Sequence, residues 1–209
     1  VTDLALAIAV REDLTRGARA LMVTPAILAL ARILRRRFRR QERWLRDNGG
    51  TSLNLYPEDL DMQAEMERIL TLATHDGWGL AAAELGLSIP ATLTMPALFL
   101  SGIDSTTEER IRKDGLTKAF ADLQERATLI AMTEVGDAFN AGAIALAAQG
   151  QDVEKIWMMQ GEACPVCVAN AAEGYIPQSM PFGSGHQAPT AHPRCMCSLS
   201  FRSVYNPVN

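Results

Sequence analysis

Four cysteines, Cys164, Cys167, Cys195 and Cys197, all fall in the last quarter of this 209-residue chain. With one nearby histidine the segment reads C-x2-C…H-x2-C-x-C, from Cys164 through His192 to Cys197. The turn inside a C-x2-C knuckle carries both sulfurs to one side, so they can converge on a single ion. Zinc usually takes four nitrogen or sulfur ligands in a tetrahedron. Five candidates stand for four places. Cys164, Cys167 and Cys195 are expected first, with either His192 or Cys197 as the fourth, a choice the sequence leaves open. His186, in a Gly-rich loop, is a weaker spare. A filled site would be structural, because catalytic zinc generally keeps a position open for water. Two disulfides, or four thiols packed as small apolar groups, are the competing readings of the same residues.

Enzymatic readings meet specific obstacles. A thiol-redox site at Cys164 and Cys167 would follow a strand and open a helix near Val168 to Ala172. Such motifs open a much larger βαβ domain, and the second cysteine pair would have no role. A zinc deaminase needs His-x-Glu upstream of its cysteines, whereas His75 is followed by Asp76 and Gly77. A nuclease of the HNH kind needs more histidines than the three present. The chain is therefore expected not to be an enzyme.

The rest of the chain reads as helix. Two helices are expected in the first 48 residues, split near Pro25, with Gly49 and Gly50 closing the second. Its apolar positions Ile27, Leu30, Ala31, Leu34, Phe38 and Leu45 recur at helical spacing. After a polar linker, Pro57, Glu58 and Asp59 signal a new helix carrying Leu60, Met62, Met66, Ile69 and Leu70. A short helix around Gly79 to Glu84 and an irregular connector from Ser88 to Ser101, containing Thr92–Leu93–Thr94 and Phe99, are expected next. Ser105 with Glu108 has the form of a capping box opening a helix that Gly115 breaks. From Ala121 to Ala148 the sequence is almost unbroken helix former, with Gly136 and Gly142 inside as marks of close packing. Strands are expected over Val153 to Met159 and Ser198 to Val204. The expected fold is mainly α, with a long central helix and a small C-terminal α+β zinc-binding lobe. Three regions follow: a basic amphipathic region over 1–50, a helical middle region and connector over 51–104, and a third unit over 105–209.

No membrane span is expected, since the stretch near Leu80 to Leu100 is interrupted by Glu84, Pro90 and Pro96. Asp3 stands before the first apolar run with no basic segment ahead of it, so a secretory signal is not expected either.

The segment from about Glu125 to Phe201 combines Arg126–Ala127, Ile130–Ala131 and Thr133–Glu134 on one helix, Lys155–Ile156–Trp157 on a strand, Cys164–Pro165–Val166–Cys167, and His192–Pro193–Arg194–Cys195–Met196–Cys197. In this combination it resembles the phage head-morphogenesis domain, the family of the Mu F-like minor head proteins. The resemblance starts at Arg126–Ala127–Thr128–Leu129–Ile130–Ala131–Met132–Thr133–Glu134, where the family reads R-A-x-x-I-A-R-T-E. It continues through Ala138, Asn140, Gly142, Lys155–Ile156–Trp157, Cys164, Cys167 and Gly174, and closes on Ala191–His192–Pro193–Arg194–Cys195–Met196–Cys197. Met132 and Met196 stand where the family usually has Arg, and Gly161–Glu162–Ala163 replaces an Asp-x-Arg/Lys. The resemblance implies a structural minor capsid protein of a tailed phage. Such a protein is made in the host cytoplasm and placed in the virion interior near the portal vertex, in several copies. It would support head assembly, DNA packaging or DNA ejection beside the portal protein or major capsid protein. A zinc-containing nucleic-acid-binding protein unconnected with virions is the alternative, and a thiol-redox enzyme the second.

Charge adds a partner question. Between Arg32 and Arg46 eight arginines face one acid, Glu42, a balance of +7; with a net charge of −4 the remainder carries −11. Arg32, Arg35, Arg36, Arg37, Arg39, Arg40, Arg43 and Arg46 are therefore candidates for contact with packaged DNA or an acidic protein surface, against a solvated helix face.

Overall fold

The computed structural model describes residues 2–50, 52–53, 56–57, 59–89, 100–161 and 163–204, and the side chains of these except over 2–22 and 100–102. The fold is mainly α. Helices α1 (Thr2–Asp47), α2 (Leu60–Leu85), α3 (Leu100–Asp114), a single turn α4 (Leu116–Ala119) and α5 (Leu123–Ala147) precede the C-terminal lobe. That lobe contains β1 (Val153–Met158), α6 (Pro165–Ala172), β2 (Ile176–Pro177) and β3 (Ser198–Ser203). The sheet is antiparallel in the order β2-β1-β3, with Trp157 opposite Leu199 and Met158 opposite Ser198.

Several helix boundaries differ from the sequence expectation. Pro25 does not split the first helix; α1 runs through it. A proline inside a helix costs about 3 kcal/mol, and burial of Val23, Ile27 and Leu30 on either side opposes that cost. The short helix expected at Gly79 to Glu84 is the C-terminal part of α2. It ends at Gly86 in the left-handed region (φ 66°), which glycine enters without Cβ strain. Ser105 lies inside α3, and the Glu108 carboxylate instead accepts from the Leu53 backbone and from Ser52 Oγ at 2.8 Å. The connector expected at Ser88 to Ser101, including Thr92–Leu93–Thr94 and Phe99, lies outside the described residues over 90–99, as does Glu58.

Among the described residues, helices α2 and α5 form the largest interface and contribute to two apolar cores. Their close approach follows from two glycines. A Cβ at Gly77 would lie 2.0 Å from the Phe139 carbonyl oxygen, and one at Gly142 would lie 2.2 Å from that of Thr74. One half of the pair packs with α1 around Leu34, Phe38, Met66 and Phe139. The other half brings Trp78, Ala81, Leu146 and Ala147 against Trp157, Phe182, Phe201 and the cysteines. Among the described residues, α5 is long and apolar enough by length and composition to cross a membrane. Here its buried face, including Ala127, Ala131, Val135 and Phe139, is covered by the chain's own core.

Candidate metal centre

The cysteine segments are shaped by ordinary local rules before any ion is considered. Cys164 is the N-cap of α6, Pro165 occupies the first turn, and the Cys167 backbone N–H donates to the Cys164 sulfur at 3.4 Å. Proline suits that turn because its missing N–H would be unpaired there anyway. At the second segment the Cys195 N–H donates to the His192 carbonyl at 3.1 Å, closing a turn with Arg194 at φ 67°. Cys197 then leads into β3, beside Trp157 on β1.

These elements bring all five candidate donors together. Cys164, Cys167 and His192 form one group and Cys167, Cys195 and Cys197 a second, the ligand atoms of each lying within 4.8 Å of one another. The Cys167 sulfur, common to both, is 3.6 Å from His192 Nε2 and 3.7 Å from the Cys195 sulfur. Around a tetrahedral ion with bonds of about 2.3 Å to sulfur and about 2.0–2.1 Å to nitrogen, ligand pairs stand about 3.8 Å (S–S) and about 3.6 Å (S–N) apart. The cluster could therefore hold a metal ion. Cys167, Cys195 and Cys197 are buried, while Cys164 and His192 are half-buried at the rim of a cavity of about 290 Å³.

Electrostatics divide the sulfurs. Burial pushes the Cys167 thiol up to about 12. Cys195 is also raised, first by its contact with the Cys197 side chain and then by burial, with the N–H groups of Ala191 and Cys197 acting against both. Cys164 is lowered, first by the Cys167 backbone N–H and also by that of Val166. Cys197 is lowered by the Cys195 side chain, then by the Gln160 backbone N–H and the Trp157 indole. That indole N–H is buried and makes no hydrogen bond of ordinary geometry; the Cys197 sulfur is the acceptor it acts on. His192 Nδ1 lies 2.7 Å from the Pro193 carbonyl oxygen. Because a carbonyl only accepts, Nδ1 carries the proton, leaving Nε2 to face the sulfurs. Such an outer hydrogen bond commonly orients a ligating histidine.

The surroundings explain several motif residues. Asn140 donates from Nδ2 to the carbonyls of Gly136 (2.9 Å) and Cys197 (3.3 Å), tying α5 to the second cysteine pair. Trp157 is buried and meets Phe182 edge-on, with ring centroids 5.1 Å apart. Arg126 is buried with its guanidinium 4.4 Å from the Phe38 ring centre, donating to Thr107 Oγ1 at 2.5 Å. Met132 and Met196 both pack on the helical core, which gives these uncharged side chains an apolar role. Glu134 is half-buried on α5, its carboxyl pushed up by burial and by Asp137. His186, with Nδ1 3.0 Å from Ser184 Oγ, joins neither donor group.

Two residues named from the sequence have supporting roles that it did not assign. Glu84, at the end of α2, accepts from Ser200 Oγ at 2.9 Å and from the Phe201 N–H at 2.8 Å, satisfying the outer edge of β3. Lys155 is fully buried beside Phe182 and donates to both the backbone and side-chain oxygens of Gln187, at 2.8 and 2.7 Å. Lys155 shares the inward face of β1 with Val153 and Trp157, so strand alternation marks its position. Its partner lies 32 residues away and carries no sequence signal.

The arginine run is partly spent inside the chain. Arg37 pairs with Asp104 at 2.7 Å and Arg36 with Glu65 at 2.8 Å, while Arg40 pairs with Asp59. Arg35 donates to Gln124, and Arg46 to Glu42 one turn earlier. Arg32, Arg39 and Arg43 are exposed and make no ion pair among the described residues. Arg40 and Arg43 border a separate open cavity of about 670 Å³ with Trp44 and Tyr56.

Set against family models, curated proteins and solved structures, the chain matches none of them.

Proposed function

We propose that this chain is a structural minor capsid protein of a tailed phage, a portal-associated head-morphogenesis protein whose C-terminal lobe is held together by zinc. The observation that carries the reading is the convergence of Cys164, Cys167, His192, Cys195 and Cys197 beside the long helix α5. These are the residues through which the sequence resembles Mu F-like minor head proteins. The donor set favours zinc, since thiolate and imidazole suit that ion and leave little place for hard oxygen-seeking cations. Four ligands drawn from these five would cross-link α6 to the turn before β3. The role is structural rather than catalytic. Proximity to the portal or major capsid protein, and residence in the virion after assembly in the host cytoplasm, belong to the same reading.

Exposed Arg32, Arg39 and Arg43 support a narrower contact with packaged DNA or an acidic capsid surface than the full run suggested. The same arginines favour the second reading, a zinc-containing nucleic-acid-binding protein. A thiol-redox enzyme has less support, because Cys164 and Cys167 share their cluster with three further donors.

Mass spectrometry of purified virions tests the proposal. The chain is expected there in several copies; its absence from washed particles overturns the assignment. Elemental analysis is expected to give one zinc per chain, and a chelator is expected to lower the melting temperature, as for other structural zinc domains. A chain free of metal after purification under reducing conditions overturns the zinc reading.

A further inference from the structure

We propose that His192 and Cys197 are interchangeable fourth ligands, so that the ion keeps Cys164, Cys167 and Cys195 while its fourth bond passes between an outer nitrogen and an inner sulfur. The inference rests on the metal reading above and concerns how the ion is held.

Both candidates are prepared for the task, which is unexpected if one were a bystander. His192 stands at the rim, its Nδ1 committed to the Pro193 carbonyl at 2.7 Å and its Nε2 3.6 Å from the Cys167 sulfur. Cys197 is almost fully buried, in the second donor group with Cys167 and Cys195. Its carbonyl is held by Asn140 at 3.3 Å, and the otherwise unpartnered indole N–H of Trp157 lies beside its sulfur. A buried N–H left without a partner is unfavourable, and a metal-bound thiolate would offer it an acceptor. Cys167 belongs to both donor groups, so it can stay bound while His192 and Cys197 exchange. Binding through Cys197 would release its thiol proton to solvent and free the neutral imidazole of His192. With His192 bound the residues would offer three sulfurs and one nitrogen, and with Cys197 bound four sulfurs, leaving the turn that carries His192 free. Cys195 keeps the two cysteine segments joined throughout.

Cobalt(II) loaded into the full chain tests this, because thiolate-to-cobalt charge-transfer absorption counts bound sulfurs. H192Q is expected to keep one cobalt and show a four-thiolate spectrum. C197S is expected to keep one cobalt with roughly a quarter less charge-transfer intensity than H192Q, in line with three thiolates. Each single variant should bind within about ten-fold of the parent, and the double variant more than about a hundred-fold more weakly. Either single variant binding as poorly as the double overturns the exchange and leaves a fixed ligand set. Should C197S fail to fold, H192Q decides alone: loss of cobalt, or no gain of a fourth thiolate, overturns the proposal. A parent chain that takes up no cobalt or zinc overturns the metal reading itself, a separate result from the failure of exchange.

Discussion

Asn140 Nδ2 donates to the backbone carbonyl of Cys197 at 3.3 Å, across 57 positions of sequence. The bond ties the middle of α5 to the second cysteine pair in a buried setting. It therefore couples the helical core to the candidate metal centre through one side chain.

Replacing Asn140 with Ala removes this bond and the one to Gly136. The Cys197 carbonyl would lose a buried partner, for which the expected cost is about 1–3 kcal/mol. For a chain of this size that is a fall of roughly 2–4 °C in melting temperature per kcal/mol. The loss should be larger in zinc-loaded than in chelator-treated protein. Equal losses in the two forms would separate Asn140 from the metal centre.

Three glycines in helices should respond in opposite directions. Ala at Gly77 or Gly142 places a methyl 2.0 or 2.2 Å from a carbonyl oxygen of the facing helix. Each is expected to destabilise by about 1–3 kcal/mol or more. Gly79, two residues from Gly77, has nothing within 4 Å of its missing Cβ. Gly79→Ala is therefore expected to stabilise by about 0.5–1 kcal/mol through helix propensity alone. Urea unfolding of the three variants checks the signs.

The Asp104 carboxylate receives Arg37 at 2.7 Å and Gln41 at 2.8 Å, and both donors are buried. Asp104→Ala leaves them without that acceptor. Because the Asp104 side chain is itself 30% exposed, the expected cost is about 1.5–3 kcal/mol, as for hydrogen bonds to charged groups. Glu65→Ala breaks only the open pair with Arg36 and should cost no more than about 1 kcal/mol. Denaturation midpoints that reverse this order would show the pairs to be misweighted.

Lys155 gives a pH signature. Burial pushes its ammonium from the ordinary 10.5 down to about 8. Below about 8 it is protonated in both states. Between about 8 and 10.5 the unfolded chain holds a proton that the folded chain has released, so this group makes folding more favourable as pH rises. Lys155→Met lacks the group, and the stability of the parent relative to the variant should grow across that window. A difference flat in pH would mean that Lys155 titrates normally.

Much of the fold was legible because it rests on local chemistry. The spacing of Ile27, Leu30, Leu34 and Phe38 marked a helix with one buried face, and these four residues are buried. The run from Ala121 to Ala148 marked the central helix, seen as Leu123–Ala147. Both longer strands begin where expected, at Val153 and Ser198. The expected break at Pro25 failed for a tertiary reason, since burial on both sides of the proline carries the helix through. The separate helix at Gly79 failed for another: α2 runs unbroken to Leu85, its Gly77 packed closely on α5.

By itself, then, the sequence determined which residues can form each helix and which five side chains can donate to a metal, because propensity and donor chemistry belong to individual residues. Only the tertiary structure decided that Cys167 joins two donor groups, that Arg37 turns inward to Asp104, and that Asn140 holds Cys197. Those relationships join residues that periodicity cannot connect, and they arise only when close helix packing brings distant polar groups out of water together.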